Sequence, residues 1–218
     1  MVATNTAPAR YHARVRSDAE LLEGWRGGDK QAGSELFERY FEPVSRFFVN
    51  KLSEDPDDLV QETFMACLRG RDRLRDPSRF RSYLFGIACN VLRAHLRRPT
   101  DAPLHDDDRC ALDLSPGPST ALHAREGERL LLDALRRIPL ELQILLELHY
   151  WESMTTDEIA DALGLPRGTV RGRLQRGRAR LMDALEELPM PKALHATLTR
   201  ELDAWATGLR AVVVHREG

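Results

Sequence analysis

Apolar residues along this chain recur at helical spacing, and no stretch shows the strict alternation that a half-buried strand requires. "SDAELLEGW" places Ser17 and Glu20 at capping-box spacing ahead of Leu21, Leu22 and Trp25, which predicts a first helix. "SELFERYFEPVSRFFVNKL" carries Leu36, Phe37, Tyr40, Phe41, Val44, Phe47 and Phe48 on one stripe, and Pro43 is expected to kink or divide that helix. A third helix follows in "DPDDLVQETFMACLRG", with Asp55 as the expected N-cap, Pro56 in the first turn, and Val60, Phe64, Cys67 and Leu68 as the buried face. The fourth, "SRFRSYLFGIACNVLRAHLRR", should bury Leu84, Ile87, Ala88 and Val91.

The period then breaks. "RPTDAPLHDDDRCALDLSPGPST" has four prolines, an acidic run and no sustained repeat, so it reads as a linker between two helical blocks. The second block holds helices around "ERLLLDALRRI" and "LELQILLELHYW", followed by "TTDEIADALGLPRGTVRGRLQRGRARL". A last amphipathic stretch beyond Pro191 aligns Leu194, Leu198, Leu202, Trp205 and Leu209. The expected fold is therefore all-α: two small helical domains joined by a flexible acidic linker, plus an extra C-terminal helix. The expected boundaries are a tail over 1–16, domains over 17–98 and 123–188, a linker over 99–122 and an extension over 189–218.

Composition narrows the choices. With 42% apolar residues in 218, the chain has material for a core, and no run is long enough to span a bilayer. "MVATNTAPARYHARVR" lacks the apolar centre of a signal peptide, so a cytoplasmic location is expected. Cys67, Cys89 and Cys110 are scattered, and the histidines lack partners at ligand spacing; His149 in its apolar helix reads as structural. Neither a metal site nor a cofactor is expected.

Charge is more telling by placement than by amount. The formal net charge is -2, yet six arginines lie between Arg167 and Arg180 without one acid among them. Thr155 and Glu158 form a second capping-box pair, Gly164 suits a left-handed helix end, and Pro166 suits the start of the next helix. That is a helix-turn-helix, in which Val170, Leu174, Gly177 and Leu181 face inward onto Ile159 and Leu163. Arg167, Thr169, Arg171, Arg173, Arg176 and Arg178 are the candidate DNA-binding residues, since arginine reads guanine edges and neutralises phosphates.

The first block makes a more specific comparison possible. "DDLVQETFMACL" (57–68) with "FRSYLFGIACNVLRAHLRR" (80–98) resembles the promoter-opening domain of extracytoplasmic-function (ECF, group IV) sigma factors. "LRRIPLELQILLELHYWESMTTDEIADALGLPRGTVRGRLQRGRARL" resembles the second domain of that family. The resemblance implies a non-enzymatic initiation factor whose partners are core RNA polymerase and promoter DNA, with an anti-sigma factor as a further partner of some members. It implies that Asp58, Leu59, Gln61 and Glu62 meet the polymerase clamp, and that the second domain reads the -35 duplex. It further implies opening of the -10 element by Arg79, Phe80, Arg81, Tyr83, Asn90, Arg93 and Arg97. Arginines beside aromatic faces are what single-strand capture needs, although Phe80 or Phe85 is expected to be partly buried. A base pocket is implied in "RDRLRDPSRF".

Four positions depart from the family pattern. Tyr83 stands where tryptophan is usual, Cys89 where a basic residue is common, and Gly172 and Gly177 where serine and alanine are more frequent. In the family the acidic linker threads towards the polymerase active-site cleft; a solvated spacer is the plain alternative. For the C-terminal stripe, docking on the chain's own second block is preferred over binding a regulator. Two other functional classes stand beside the sigma reading: a stand-alone helix-turn-helix regulator, and a DNA-processing enzyme such as a recombinase, for which no nucleophile or carboxylate cluster is visible.

Overall fold

The computed structural model describes residues 15–52, 55–97 and 126–189; positions 1–14 of the expected N-terminal tail, the linker and the C-terminal stripe lie outside them, while Arg16, expected in the tail, pairs with Glu35 at 2.7 Å and Asp29 at 3.2 Å. The described residues form eight α-helices and no strand: α1 (Asp18–Arg26), α2 (Lys30–Val49), α3 (Asp57–Gly70), α4 (Phe80–Leu96), α5 (Glu126–Arg136), α6 (Leu140–Tyr150), α7 (Thr156–Leu163) and α8 (Arg167–Glu186). Two short 3-10 turns, Arg71–Arg73 and Pro77–Arg79, bridge α3 and α4.

Local chemistry sets most of the helix ends. At α1 the Ser17 hydroxyl accepts from the Glu20 amide while Glu20 accepts from the Ser17 amide, so the capping box is complete. Asp29 caps α2 by accepting from the amides of Gln31 and Ala32, at 2.9 and 3.1 Å. That start adds a turn ahead of the predicted stripe. Pro43 does not divide α2, which runs on through it for 20 residues. The lost backbone bond is offset by burial of Tyr40, Val44, Phe47 and Phe48 on either side of the proline.

Two predicted faces are rotated. Pro56, not Asp55, holds the cap position of α3; the Asp55 carboxylate accepts from the Asp57 amide at 3.1 Å. The inner face of α3 is Val60, Thr63 and Cys67, with Phe64 only half-buried and Leu68 exposed. Thr63 is tolerated inside because its hydroxyl donates to the Leu59 carbonyl at 2.8 Å. On α2, Phe37 and Phe41 lie at the edge of the stripe and are exposed, their rings 5.6 Å apart, with Phe37 also 4.3 Å from Phe64. On α4, Leu84, Ala88 and Val91 are buried as expected, joined by Phe85, Cys89 and Leu92, while Ile87 is half-buried.

The two helical blocks share a core. Ile144, Leu145, Leu148, Met154, Ile159 and Val170 of the second block belong to the same cluster of buried residues as Leu36, Phe47, Phe85 and Leu92 of the first. Helix α4 lies along α7, and the end of α2 meets α6. A separate cluster binds α5 to α6 and to the far end of α8 through Leu131, Leu135, Leu146, Trp151, Leu181 and Leu185.

Candidate nucleic-acid interface

The helix-turn-helix is built as its sequence predicts. Thr155 caps α7 through its hydroxyl and Glu158 returns the bond, closing the second capping box. The Glu158 carboxyl is held below its usual range: burial works against this, but the Thr155 amide and the Arg81 guanidinium outweigh it. Gly164 ends α7 in the left-handed region (φ 65°), where a side chain on an L-residue is strained, and Pro166 then precedes the first residue of α8. Val170, Gly177 and Leu181 are buried and Leu174 is half-buried, facing Ile159 and α6. A methyl group on Gly177 would sit 3.2 Å from Leu146 Cγ, so this glycine gives α8 its close approach to α6.

The opposite side of α8 is a row of guanidiniums. Arg167, Arg171, Arg176, Arg178 and Arg180 are exposed, and Thr169 and Arg173 are half-buried beside them. Arg167 pairs with Asp157 at 2.9 Å, and Arg178 lies over the Tyr150 ring at 5.6 Å. The N-terminal half of α8 thus presents cations to solvent, while its C-terminal half is buried at Leu181, Ala184 and Leu185.

On α3, Asp58, Gln61, Glu62 and Met65 form an exposed ridge, and Leu59 is half-buried at its base. Met65 and Leu68 continue onto Phe37 and Phe41, so the acidic ridge borders an exposed apolar patch. Periodicity assigned three of those four apolar residues to the core, and only the rotation of α2 and α3 reveals them as surface.

The α4 side is different from expectation. Phe80 is 2% exposed, with its ring 5.6 Å from Tyr40, so it belongs to the core and not to a base-stacking face. Phe85 is fully buried as well. Tyr83 is half-buried, and burial raises its hydroxyl pKa. Arg79, Asn90 and Arg97 are exposed. The turn before α4 is shaped by Asp76, whose carboxylate accepts from the Ser78 hydroxyl at 2.6 Å and from the Ser78 amide at 3.0 Å. Those bonds hold its pKa below the usual carboxylate value, the hydroxyl contributing most.

Arg81 and Arg93, expected on an open face, are half-buried against the second block. Arg81 binds Glu158 and donates to the Glu152 carbonyl at 3.2 Å. Arg93 grips Glu141 with two bonds, of 3.1 and 2.8 Å. Arg79 pairs with Asp161 at 3.1 Å. Two further cations that sequence reasoning passed over complete the row: Arg46 on Glu152 at 2.8 Å and Lys51 on Glu147 at 2.5 Å. Lys51 also donates to the Phe47 carbonyl at 2.7 Å and lies 3.7 Å from the centre of that ring. A signal for this pair existed: Gln143 and Glu147 stand four apart among the leucines of α6, and both are buried. His149 is structural, its Nδ1–H donating to the Met154 carbonyl at 3.1 Å. Among the described residues no group of acids, histidines and cysteines is arranged to hold a metal, and no helix is long and apolar enough to cross a membrane.

Comparison with known proteins agrees with this geometry. Residues 36–101 match the Sigma-70 region 2 family and residues 128–181 match Sigma-70 region 4. The ECF RNA polymerase sigma factor SigM of Mycobacterium tuberculosis is 33% identical over 172 residues, spanning 76% of this chain and 83% of that protein. The ECF RNA polymerase sigma-E factor of Haemophilus influenzae is 28% identical over 187 residues, 81% of this chain and 99% of that one. Among solved structures, CnrH in complex with the cytosolic domain of CnrY superposes with a TM-score of 0.56 at 26% identity, over 78% of this chain and 97% of that chain. Both parts of the chain, in the same order and over nearly the full length of these relatives, lead to one assignment: the chain belongs to the extracytoplasmic-function family of RNA polymerase sigma factors.

Proposed function

We infer that this chain is a group IV sigma factor that acts in the cytoplasm as a non-enzymatic subunit of polymerase, without a cofactor of its own. Residues 17–98 dock core polymerase through Asp58, Leu59, Gln61 and Glu62, and the neighbouring Phe37, Phe41, Met65 and Leu68 add apolar contact area. An acidic ridge beside exposed aromatic surface suits a partner that is basic and apolar in patches. The same domain engages -10 DNA through Arg79, Arg81, Tyr83, Asn90, Arg93 and Arg97, with Phe80 acting from the core only. Residues 123–188 read the -35 duplex through Arg167, Thr169, Arg171, Arg173, Arg176 and Arg178. The segment 99–122 connects the domains and 189–218 extends the second.

The observation that carries this reading is the first half of α8: arginines on the outer face, no acid among them, aimed by a left-handed turn at Gly164. The N-terminal residues of such a helix meet base edges in the major groove. Selection from a labelled promoter library, with and without bacterial core polymerase at physiological salt, tests it. Recovery of a two-part site that depends on core is the expected result. Tight and specific duplex binding without core would favour a stand-alone regulator instead. An anti-sigma factor is a proposed further partner, to be sought by co-purification.

A further inference from the structure

Helix α1 ends on Trp25 and Arg26, and both side chains meet the segment that joins α3 to α4. The Arg26 guanidinium donates through Nη2 to the backbone carbonyls of Arg71 and Leu74, and through Nε to that of Arg71 at 3.1 Å. Arg71 lays its own guanidinium over the Trp25 ring, 4.7 Å from the centre. The two carbonyls frame the first 3-10 turn, Arg71–Arg73, so one side chain 45 to 48 residues away fixes both of its ends. The same segment carries Arg79, which the proposed function sets on -10 DNA, and the exposed Arg73 and Arg75. We propose that Arg26 is a positioning residue for promoter opening: it presets the turn between α3 and α4 in the shape that receives a base drawn out of the -10 duplex. The DNA half of this proposal rests on the sigma-factor reading above; the clamping of the turn does not.

A nine-residue connection between two helices needs fastening from elsewhere if it is to keep one shape. Drawing a base out of the stack already costs free energy, and ordering the receiving turn at the same moment would subtract further from binding. A turn that is ordered beforehand avoids that second loss. Its far end is fixed locally, since Asp76 caps Pro77–Arg79 and Phe80 is sunk in the core. At its near end Leu74 packs on the core, and the polar fastening comes from α1. Arginine suits that task because its planar fork serves two acceptors at once, where lysine brings a single point charge.

Glycines on α2 and α3 make room for the arrangement. A methyl group on Gly33 would stand 2.5 Å from Trp25 Nε1, so the indole is seated against bare backbone of α2 while it supports Arg71. A methyl group on Gly70 would collide with the Tyr83 hydroxyl, so Tyr83, another residue of the -10 reading, is held against the end of α3 where the turn begins. The donors of Arg26 are taken by backbone carbonyls. It therefore acts on DNA through the turn and not by contact.

The experiment uses the full chain with bacterial core polymerase, on the two-part promoter recovered by the library selection. Arg26→Gln removes the fork and the charge; Arg26→Lys keeps the charge with one point of attachment, and is the milder change should the first impair folding. Hydrogen exchange over residues 71–79 is measured in the free chain, together with affinity for core. Opening of the -10 element is followed by 2-aminopurine fluorescence, then repeated on templates with an abasic site at each -10 position of the non-template strand in turn. Both variants should exchange faster over 71–79, glutamine more than lysine, and bind core as wild type does. Opening should fall on the order of tenfold, within what a misplacement of less than about 1 Å brings. On the template that lacks the captured base this loss should vanish, because the turn then has nothing to receive. Unchanged exchange over 71–79 in both variants overturns the clamp. Undiminished opening, or a loss of equal size on every abasic template, overturns the positioning role. Failure of the wild-type chain to bind core or open a promoter would refute the sigma-factor reading and the DNA half with it, while the exchange result still decides the clamp.

Discussion

Lys51 Nζ lies 2.5 Å from Glu147 Oε2, with both side chains withdrawn from solvent, and the two residues belong to different domains. Burial lowers the Lys51 pKa and raises that of Glu147, while each partner's charge pulls the other back. Taking one partner away leaves a buried charge with no counter-ion, which costs about 3–5 kcal/mol, whereas replacing both with apolar groups is often neutral. Lys51→Met or Glu147→Leu alone should therefore lower unfolding stability by about that amount in urea titrations, and the double variant should recover most of it. Simple additivity of the two losses would mean that the residues do not act as a pair.

The turn into α8 makes a separate prediction. Gly164→Ala forces an alanine into the left-handed region and should cost about 1–2 kcal/mol. Thr155→Ala, which opens the capping box at the other end of α7, should cost about 1 kcal/mol. Gly168→Ala is the control: a methyl group there meets nothing within 4 Å, so it should be neutral or stabilise by up to about 1 kcal/mol. Thermal melts rank the three, and a Gly164→Ala protein as stable as wild type would count against the assigned backbone.

Reversing the ridge of α3 should affect association and leave folding alone. Asp58 and Glu62 are exposed, and surface substitutions away from buried features stay within about 0.5 kcal/mol in stability. Like charges set against each other across an interface cost several kcal/mol. Asp58→Arg with Glu62→Arg should melt with wild type yet lose most of its affinity for core polymerase in a fluorescence titration. Retained affinity would move the docking surface elsewhere.

Cys67 and Cys89 are buried, and burial pushes both thiols up to about 12. At pH 8 neither is ionised in the folded chain, so iodoacetamide followed by peptide mapping should label them only after denaturant is added. A thiol pKa raised by folding contributes stability that is fully present below the unfolded value and is lost as pH climbs through the folded one. Unfolding titrations should accordingly show weakening on the alkaline side, between the ordinary thiol range and about 12. Rapid labelling of Cys89 in native buffer would contradict its placement in the core.

What was legible in the sequence was local. The boxes at Ser17–Glu20 and Thr155–Glu158, the turn at Gly164 and the buried row Val170, Gly177 and Leu181 each depend on residues a few positions apart, and all are present. The faces of α2 and α3 were misread at their margins because a stripe of phenylalanine and leucine gives a direction without its width; Phe37, Phe41 and Leu68 fell on the outer side. Burial of Phe80 or Phe85 was expected, and both are buried; which side an aromatic takes is hard to read, since beside arginines it looks alike whether it stacks on bases or on Tyr40. The seam between domains was not legible. Its partners are 48 to 106 residues apart, and each charge alone resembles ordinary surface. Five acids of the second block face cations of the first, a placement that no local pattern marks.

The five ion pairs between the two helical blocks also bear on what a distant charge feels of this molecule. Opposite charges held in contact cancel each other's field beyond about 8 Å, the screening length at physiological ionic strength. Arg46, Lys51, Arg79, Arg81 and Arg93, paired with carboxylates of the second block, therefore add little to the long-range potential of the closed chain. What a polyanion meets first is the outer side of α8, where Arg171, Arg176, Arg178 and Arg180 stand exposed without an acid among them.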